Sequence, residues 1–176
     1  MKKLNLSMFN QITLSEVGGL MAWLQYPTSK LIPLRKLKDG LSVRPLKLDY
    51  MIQLCEDFQF IKIEQESVSL TEHGGRFANA DLRKQKTILR AHLLSYGQVR
   101  ALMDLLRQSE TRRLQQRQIE GLLGCGSGNK RDRVEVGGFM EWAHACELIY
   151  YDKRNEEIYP WESDFPTNPP STATAS

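Results

Sequence analysis

One pattern constrains this chain more than any other feature, and it occurs twice: an apolar helical stripe, a strand, a polar turn and a second strand. In the first occurrence, apolar residues from Leu48 to Phe58 recur at helical spacing, and the segment FIKIEQESVSL (60–70) alternates as a hairpin does. In the second, a stripe ending at Cys146 leads into ELIYYDKRNEEIYPWE (147–162). The pattern predicts a mostly helical α+β fold with small β-hairpins.

Two further helices are predicted before each of these units. Apolar residues recur at helical spacing over Leu14–Leu24 and Ile32–Leu41 in the first half, and over Val99–Leu106 and Gln115–Leu123 in the second. Three helices followed by a hairpin describe a winged-helix-like module. We therefore predict two such modules, joined by a helix that starts near Thr71 and continues as a linking helix over 82–95.

The domain limits follow from this order. We expect a first module at residues 1–81, the linking helix and a second module at 82–162, and a disordered tail at 163–176, where Pro, Ser and Thr dominate. A Cys-Glu pair occurs near the end of the last helix of each module, at 55–56 and at 146–147. The pair is consistent with a duplication but is too short to establish one.

Composition indicates the cellular compartment of the protein more clearly than its function. The net charge of +3 permits an acidic partner, nucleic acid or a membrane surface without requiring any of them. The three cysteines show no Cys-x-x-Cys spacing, and no window approaches the roughly 18 apolar residues of a membrane span. We expect a cytoplasmic protein.

Candidate catalytic and metal-binding motifs give weak signals. GCGSGNKRD (124–132) lacks the Gly-Lys-Ser/Thr spacing of a phosphate loop, and His73, His92 and His144 lack metal-ligand spacing. The aromatic cluster of the last hairpin, which contains Tyr150, Tyr151, Tyr159 and Trp161, is expected to pack on its own helices more than to stack on a partner. We predict no catalytic residue, no cofactor and no metal, and hence a protein that is not an enzyme.

The stretch LTEHGGRFANADLRKQK (70–86) carries the most specific pattern. Thr71 can cap a helix, and glycines in the first turn let backbones pack closely. The stretch resembles the AAA-associated C-terminal domain, which usually follows the ATP-binding subunit of nitrate, sulfonate, taurine and bicarbonate type ABC transporters. The residues that carry the likeness are Leu70, Thr71, Gly75, Arg76, Phe77, Ala80 and Asp81.

The resemblance extends through VGGLMAWL and VGGFMEWAHACELIYYD, over about residues 14–162. It implies a regulatory or interaction module of a bacterial transporter. Thirteen residues precede the first predicted helix, so we expect no ATPase within this chain. The implied partner is a transporter ATPase subunit for anion uptake, which would bring the protein to the inner membrane as a peripheral component.

A winged-helix transcriptional regulator is the alternative. Such a protein reads the major groove with its third helix, which must offer cations to phosphates and donors to bases. The exposed face of the first candidate helix instead offers Asp49 and Glu56, and that of the second offers Glu135 and Glu141. Carboxylates at these places would repel the phosphate backbone, so DNA binding is disfavoured.

Positive charge gathers away from those helices. The predicted partner-binding residues are Arg83, Lys84, Lys86, Arg90, Arg112 and Arg113. A solvated helix face explains them as well as docking on an acidic protein surface does.

Overall fold

The computed structural model describes residues 4–26, 31–125 and 129–161 of the chain. The first half contains α1 (Leu6–Phe9), α2 (Leu14–Gln25), β1 (Ile32–Pro33), α3 (Leu34–Gly40), α4 (Pro45–Asp57), β2 (Ile61–Glu64) and β3 (Ser67–Leu70). Two helices follow, α5 (Glu72–Ala78) and α6 (Leu82–Ser95). The second half contains α7 (Gly97–Gln108), β4 (Leu114–Gln115), α8 (Gln116–Leu122), α9 (Lys130–Ala145), β5 (Ile149–Asp152) and β6 (Glu157–Pro160). The tail expected at 163–176 lies outside the described residues.

The predicted α+β class is confirmed, and both hairpins are present. Each hairpin is part of a three-stranded antiparallel sheet, with strand orders β1-β3-β2 and β4-β6-β5. The third strands were not predicted. Ile32, expected to begin a helix, instead pairs with Val68, and Leu114 pairs in the same way with Ile158. The helix predicted from Ile32 therefore begins two residues later, at Leu34.

Both halves have the same element order: helix, short strand, two helices and two strands. The turn after the last helix fixes their alignment, because the Phe60 N–H donates to the Cys55 carbonyl at 2.8 Å and the Leu148 N–H to the Ala143 carbonyl at 2.9 Å. Phe60 is thus equivalent to Leu148, and Cys55 to Ala143. The Cys-Glu pairs of the sequence are not equivalent positions, since the second pair lies three residues further along this turn. The winged-helix-like description stays our interpretation of the order.

The joining segment is two helices and not one. Helix α5 ends at Ala78, and Asp81 caps α6 by accepting a hydrogen bond from the Lys84 N–H at 2.8 Å. Asp81 has an extended backbone, so the chain changes direction between the two helices.

Residues 4–12, expected in the first module, pack on the second. The Phe9 ring lies 5.7 Å from Phe139 and 5.5 Å from Trp142, and the Trp142 Nε1–H donates to the Ile12 carbonyl at 2.6 Å. The backbones of α1 and α9 approach so closely that a Cβ on Gly138 would lie 2.5 Å from the Asn10 Cα. Buried apolar residues of both halves consequently form one continuous core.

Candidate interaction site

Helix α6 carries four of the six predicted partner-binding residues. Arg83 and Lys84 are exposed on its first turn, where Lys84 Nζ lies 3.6 Å from Asp81 Oδ2. The hydrogen bond from the Lys84 N–H holds the pKa of Asp81 below its usual value, so this N-cap is charged at neutral pH. Arg83 forms no direct ion pair with any residue that the structure describes, although its charge contributes to the lowered pKa of Glu147. It is the α6 cation most available to a partner.

Lys86 and Arg90 face inward and bind Glu147, which follows α9. Lys86 Nζ lies 3.0 Å from Glu147 Oε1, Arg90 Nη2 lies 3.2 Å from Oε2, and Arg90 Nε donates to the Cys146 carbonyl at 3.0 Å. The Lys86 hydrogen bond lowers the pKa of Glu147. Cations also suit this place because the last carbonyls of α9 lack partners within the helix. These two cations therefore fasten the second module to α6, and their role in partner binding stays a prediction.

Arg112 and Arg113 lie in the turn between α7 and β4. Arg112 has a left-handed backbone with φ of 48°, and Arg113 Nη1 lies 3.6 Å from Glu157 Oε1 on β6. The structure joins Arg113 to the second sheet, whereas Lys86 and Arg90 meet at Glu147. The predicted set thus divides into an exposed pair on α6, an inward pair on α6 and a pair beside the second sheet.

The motif around Thr71 fastens α5 to the end of α4. The Thr71 hydroxyl donates to the Gln59 carbonyl at 2.6 Å and accepts from the Gly74 N–H at 2.9 Å. A Cβ on Gly74 would lie 1.9 Å from the Phe60 carbonyl oxygen, so the backbone approach requires glycine there. The Phe77 ring then stacks on Phe60 with centroids 4.5 Å apart. Gly74, which was not among the predicted motif residues, is the residue on which the junction depends.

The other motif residues serve this junction in different ways. Leu70 ends β3, and Arg76 forms an ion pair one turn away within α5. The Ala80 N–H donates to the Phe77 carbonyl at 3.1 Å, which ends α5. A Cβ on Gly75 would have nothing within 4 Å, so the close approach predicted for the two glycines occurs at only one of them.

A cleft of about 770 Å³ lies between the modules. Its walls are the segment from Phe9 to Ser15, helix α2, the end of α5, the start of α6 and the end of α9. Leu82, on the first turn of α6, lines it and is 61% exposed. The exposed pair Arg83 and Lys84 follows Leu82 directly, so the charged surface and the cleft adjoin.

The would-be DNA-reading helices carry carboxylates on their exposed faces. Asp49 and Glu56 are exposed on α4, and Glu141 is exposed on α9. Each helix also has a cation that is already paired: Lys47 Nζ lies 2.5 Å from a carboxylate oxygen of α2, and Arg131 Nε lies 3.0 Å from a carboxylate of its own helix. The carboxylates on these faces do not suit a DNA phosphate backbone, and the exposed cations of α9, Lys130, Arg131 and Arg133, lie only on its first turn.

Comparison with known protein families gives one match, which spans both halves of the molecule. The family model described as the C-terminal AAA-associated domain matches residues 36–152, well over half of the chain. The chain belongs to this family. Searches of curated proteins and of solved structures returned no match.

The match on the AAA-associated domain confirms the family resemblance and sets a coarse function. It includes the Thr71 to Asp81 motif, all of α6 and the Glu147 contact. Membership indicates an accessory domain of ABC-type ATPases. Which ATPase is bound, and how its activity changes, are matters for the proposal below.

Two histidines of this AAA-associated domain meet although sequence spacing gave no sign of it. His73 Nε2 on α5 and His92 Nε2 on α6 lie 2.7 Å apart, and the His92 ring stacks on Phe58 with centroids 4.9 Å apart. The third histidine, His144, accepts a hydrogen bond from the Tyr151 N–H at 3.2 Å. All three histidines pack against neighbouring side chains and are half-buried.

The aromatic cluster of the last hairpin divides between core and surface. The Tyr151 hydroxyl contacts Gln116 Oε1 at 3.3 Å inside the second module. Tyr150 and Trp161 are each 40% exposed and flank the His144 ring at 5.4 and 5.6 Å. Packing within the domain thus accounts for these rings in part, since Tyr151 is half-buried and Tyr150 and Trp161 are more exposed.

No group of three or more metal-ligating side chains occurs within the ranges that the structure describes. Burial raises the pKa of the Cys55 thiol, and it raises that of Cys146 to about 12, so neither provides a thiolate at neutral pH. None of the described helices combines the length and the apolar character needed to cross a membrane. The absence of catalysis stays a prediction.

Proposed function

We propose that this protein is a non-catalytic interaction module that binds the ATPase subunit of an anion-uptake ABC transporter and modulates its activity. The observation that carries the proposal is the family match, which covers the matched parts of both modules and the helix pair between them. The contacts along α6 support it, since they leave a cationic and apolar surface open beside the cleft.

Modulation requires a preference for one state of the ATPase. A bound module shifts a nucleotide-dependent equilibrium only by the difference in its affinity for the two states, and each tenfold difference corresponds to about 1.4 kcal/mol. A single rigid body can express such a preference through geometry. The shared core and the Glu147 contacts join the two modules in that way.

The exposed pair Arg83 and Lys84 provides the charged part of the docking surface. Exposed cations at the edge of an interface accelerate association with an acidic partner and make it sensitive to salt, more than they add to final affinity. We therefore assign Arg83 and Lys84 a role in the first encounter with the ATPase subunit and in orienting it on this surface.

The proposal is tested by co-purification and by an ATPase assay with the ATPase subunit of an anion-uptake ABC transporter from the same organism. We expect a stable complex and a changed hydrolysis rate. The double reversal Arg83→Glu with Lys84→Glu should lower the association rate constant at least about tenfold at low salt. Arg100→Glu with Arg154→Glu is the matched control, because it changes net charge equally on other exposed arginines.

Lys86 is left intact in this test because it binds Glu147, and its reversal would disturb the fold. Absence of a complex together with an unchanged hydrolysis rate contradicts the proposal. So does selective capture of upstream DNA in a gel shift with a steep salt dependence, since that result would indicate a transcriptional regulator.

A further inference from the structure

The cleft between the modules is open because small residues line its walls. Gly18 and Ala22 lie one turn apart on α2, and Ala78 and Ala145 end the helices α5 and α9 that border the cleft. A Cβ placed on Gly18 would meet only the Gln85 Oε1, at 3.9 Å. The space therefore accepts further apolar atoms without displacing the protein.

The volume suits a bound group. At about 770 Å³ the cleft falls within the range of about 300 to 1,000 Å³ that is common for ligand pockets. Leu82 supplies apolar surface, since 61% of its surface is exposed beside the opening, whereas Trp142 borders the cleft but is itself buried. Filling the cleft would remove this apolar surface from water.

The charges around the opening are nearly balanced. Three carboxylates near it each have a cationic partner: Glu16 pairs with Lys47, Asp81 with Lys84, and Glu141 with Lys153. Arg83 forms no direct ion pair within the described part of the chain, and its charge acts on Glu147 only at longer range. One positive charge next to Leu82 is thus left for an incoming group.

From these features we infer that the cleft is an anchor site for a bulky apolar side chain of the partner, with a carboxylate of the same segment meeting Arg83. The inference rests on the proposed function, because it names the part of the ATPase-binding surface that supplies apolar contact. A segment so placed touches α2, α6 and α9 together, so it contacts both modules at once.

Two glycine variants separate filling of the cleft from general effects on α2. Gly18→Leu places a side chain in the cleft, whereas Gly19→Leu adds the same side chain to the next residue of the helix, which is exposed and does not line the cleft. Nothing lies within 4 Å of a Cβ on Gly19. Both changes replace a helical glycine by a good helix former, so both variants should fold.

The site is first probed without the ATPase by fluorescence titration with anilinonaphthalene sulfonate, an aromatic anion that binds accessible apolar surface. We expect saturable binding to the native protein, at least about tenfold weaker binding to Gly18→Leu, and unchanged binding to Gly19→Leu. Arg83→Gln should weaken binding about threefold while Arg100→Gln does not. Equal binding to the two leucine variants, or no saturable binding at all, overturns the inference.

The second arm measures association of both leucine variants with the ATPase subunit. Loss of at least about tenfold in affinity for Gly18→Leu alone supports the anchor site as the ATPase contact. Undiminished association of Gly18→Leu overturns the anchor while leaving the proposed function intact. A third result is possible, in which dye binding depends on Gly18 but the wild-type protein does not associate with the ATPase subunit. That result contradicts the proposed function and indicates that the cleft binds an apolar group of some other partner.

Discussion

The junction between α4 and α5 gives the sharpest prediction about stability. In Gly74→Ala the new methyl group would lie 1.9 Å from the Phe60 carbonyl oxygen, which is main chain and cannot rotate away. Helix α5 must then move, and the hydrogen bond from the Gly74 N–H to the Thr71 hydroxyl, now 2.9 Å, is lost or stretched.

The magnitude follows from three contributions. Overpacking in a close contact costs about 1 to 3 kcal/mol, and loss of an N-cap hydrogen bond costs about 1 kcal/mol. Replacing glycine by alanine in a helix returns at most about 1 kcal/mol. We expect Gly74→Ala to lower the free energy of unfolding by about 2 kcal/mol. Gly75→Ala, where nothing lies within 4 Å of the added Cβ, should raise it by about 0.5 to 1 kcal/mol.

Urea denaturation followed by circular dichroism measures both variants. With a slope of about 2 kcal/mol per molar urea, the Gly74→Ala midpoint should fall by about 1 M and the Gly75→Ala midpoint should rise slightly. Two results would refute this reasoning: a free energy of unfolding for Gly74→Ala within about 0.5 kcal/mol of the wild-type value, or an equal loss of stability in both variants. In either case the close approach to Phe60 is not the reason for glycine at this position.

Three further predictions concern the inter-module contacts and the thiols. Glu147→Gln should lower the free energy of unfolding by about 1 kcal/mol at pH 7. Because the pKa of Glu147 is lowered in the folded protein, this stabilisation is fully present above the ordinary glutamate value of about 4.3 and is lost as pH falls through the lower folded value. In urea titrations the difference in unfolding free energy between variant and wild type should therefore shrink steadily as the pH is lowered below about 4.3, whereas Glu110→Gln should change little at any pH. Gly138→Ala should loosen α1 and speed amide hydrogen exchange over residues 4–12 at least about tenfold, whereas Gly137→Ala, with open space around its Cβ, should not; equal protection in the two variants would contradict the close packing. Iodoacetamide should alkylate Cys125 in the native protein while the two buried cysteines react only after unfolding, and early labelling of either buried thiol would count against the core described above.

Local patterns predicted most of the helices and both hairpins because the responsible interactions are local. The linking helix has the predicted bounds, Leu82–Ser95, since its cap at Asp81 and its apolar spacing are both within a few residues. The strands Ile32–Pro33 and Leu114–Gln115 were missed because two residues carry no period, and each strand exists only through pairing with a partner more than thirty residues away.

The candidate site was predictable in composition but not in arrangement. The sequence indicated a cationic α6, yet it could not separate Arg83, which is unpaired among the described residues, from Lys86, which meets Glu147 in the other module. Likewise, no spacing rule brings His73 to His92, because their contact depends on the angle at which α5 meets α6.

The amino-acid sequence by itself determined the α+β class, the repeated order of elements and the family, since apolar periodicity, capping residues and motif residues act over short distances along the chain. Only the tertiary structure decided which glycines are required, which cations remain available and where a cleft opens. Those properties depend on distances between segments remote in sequence, such as the 2.5 Å that would separate a Gly138 Cβ from Asn10. Packing sets such distances, and a linear pattern does not encode them.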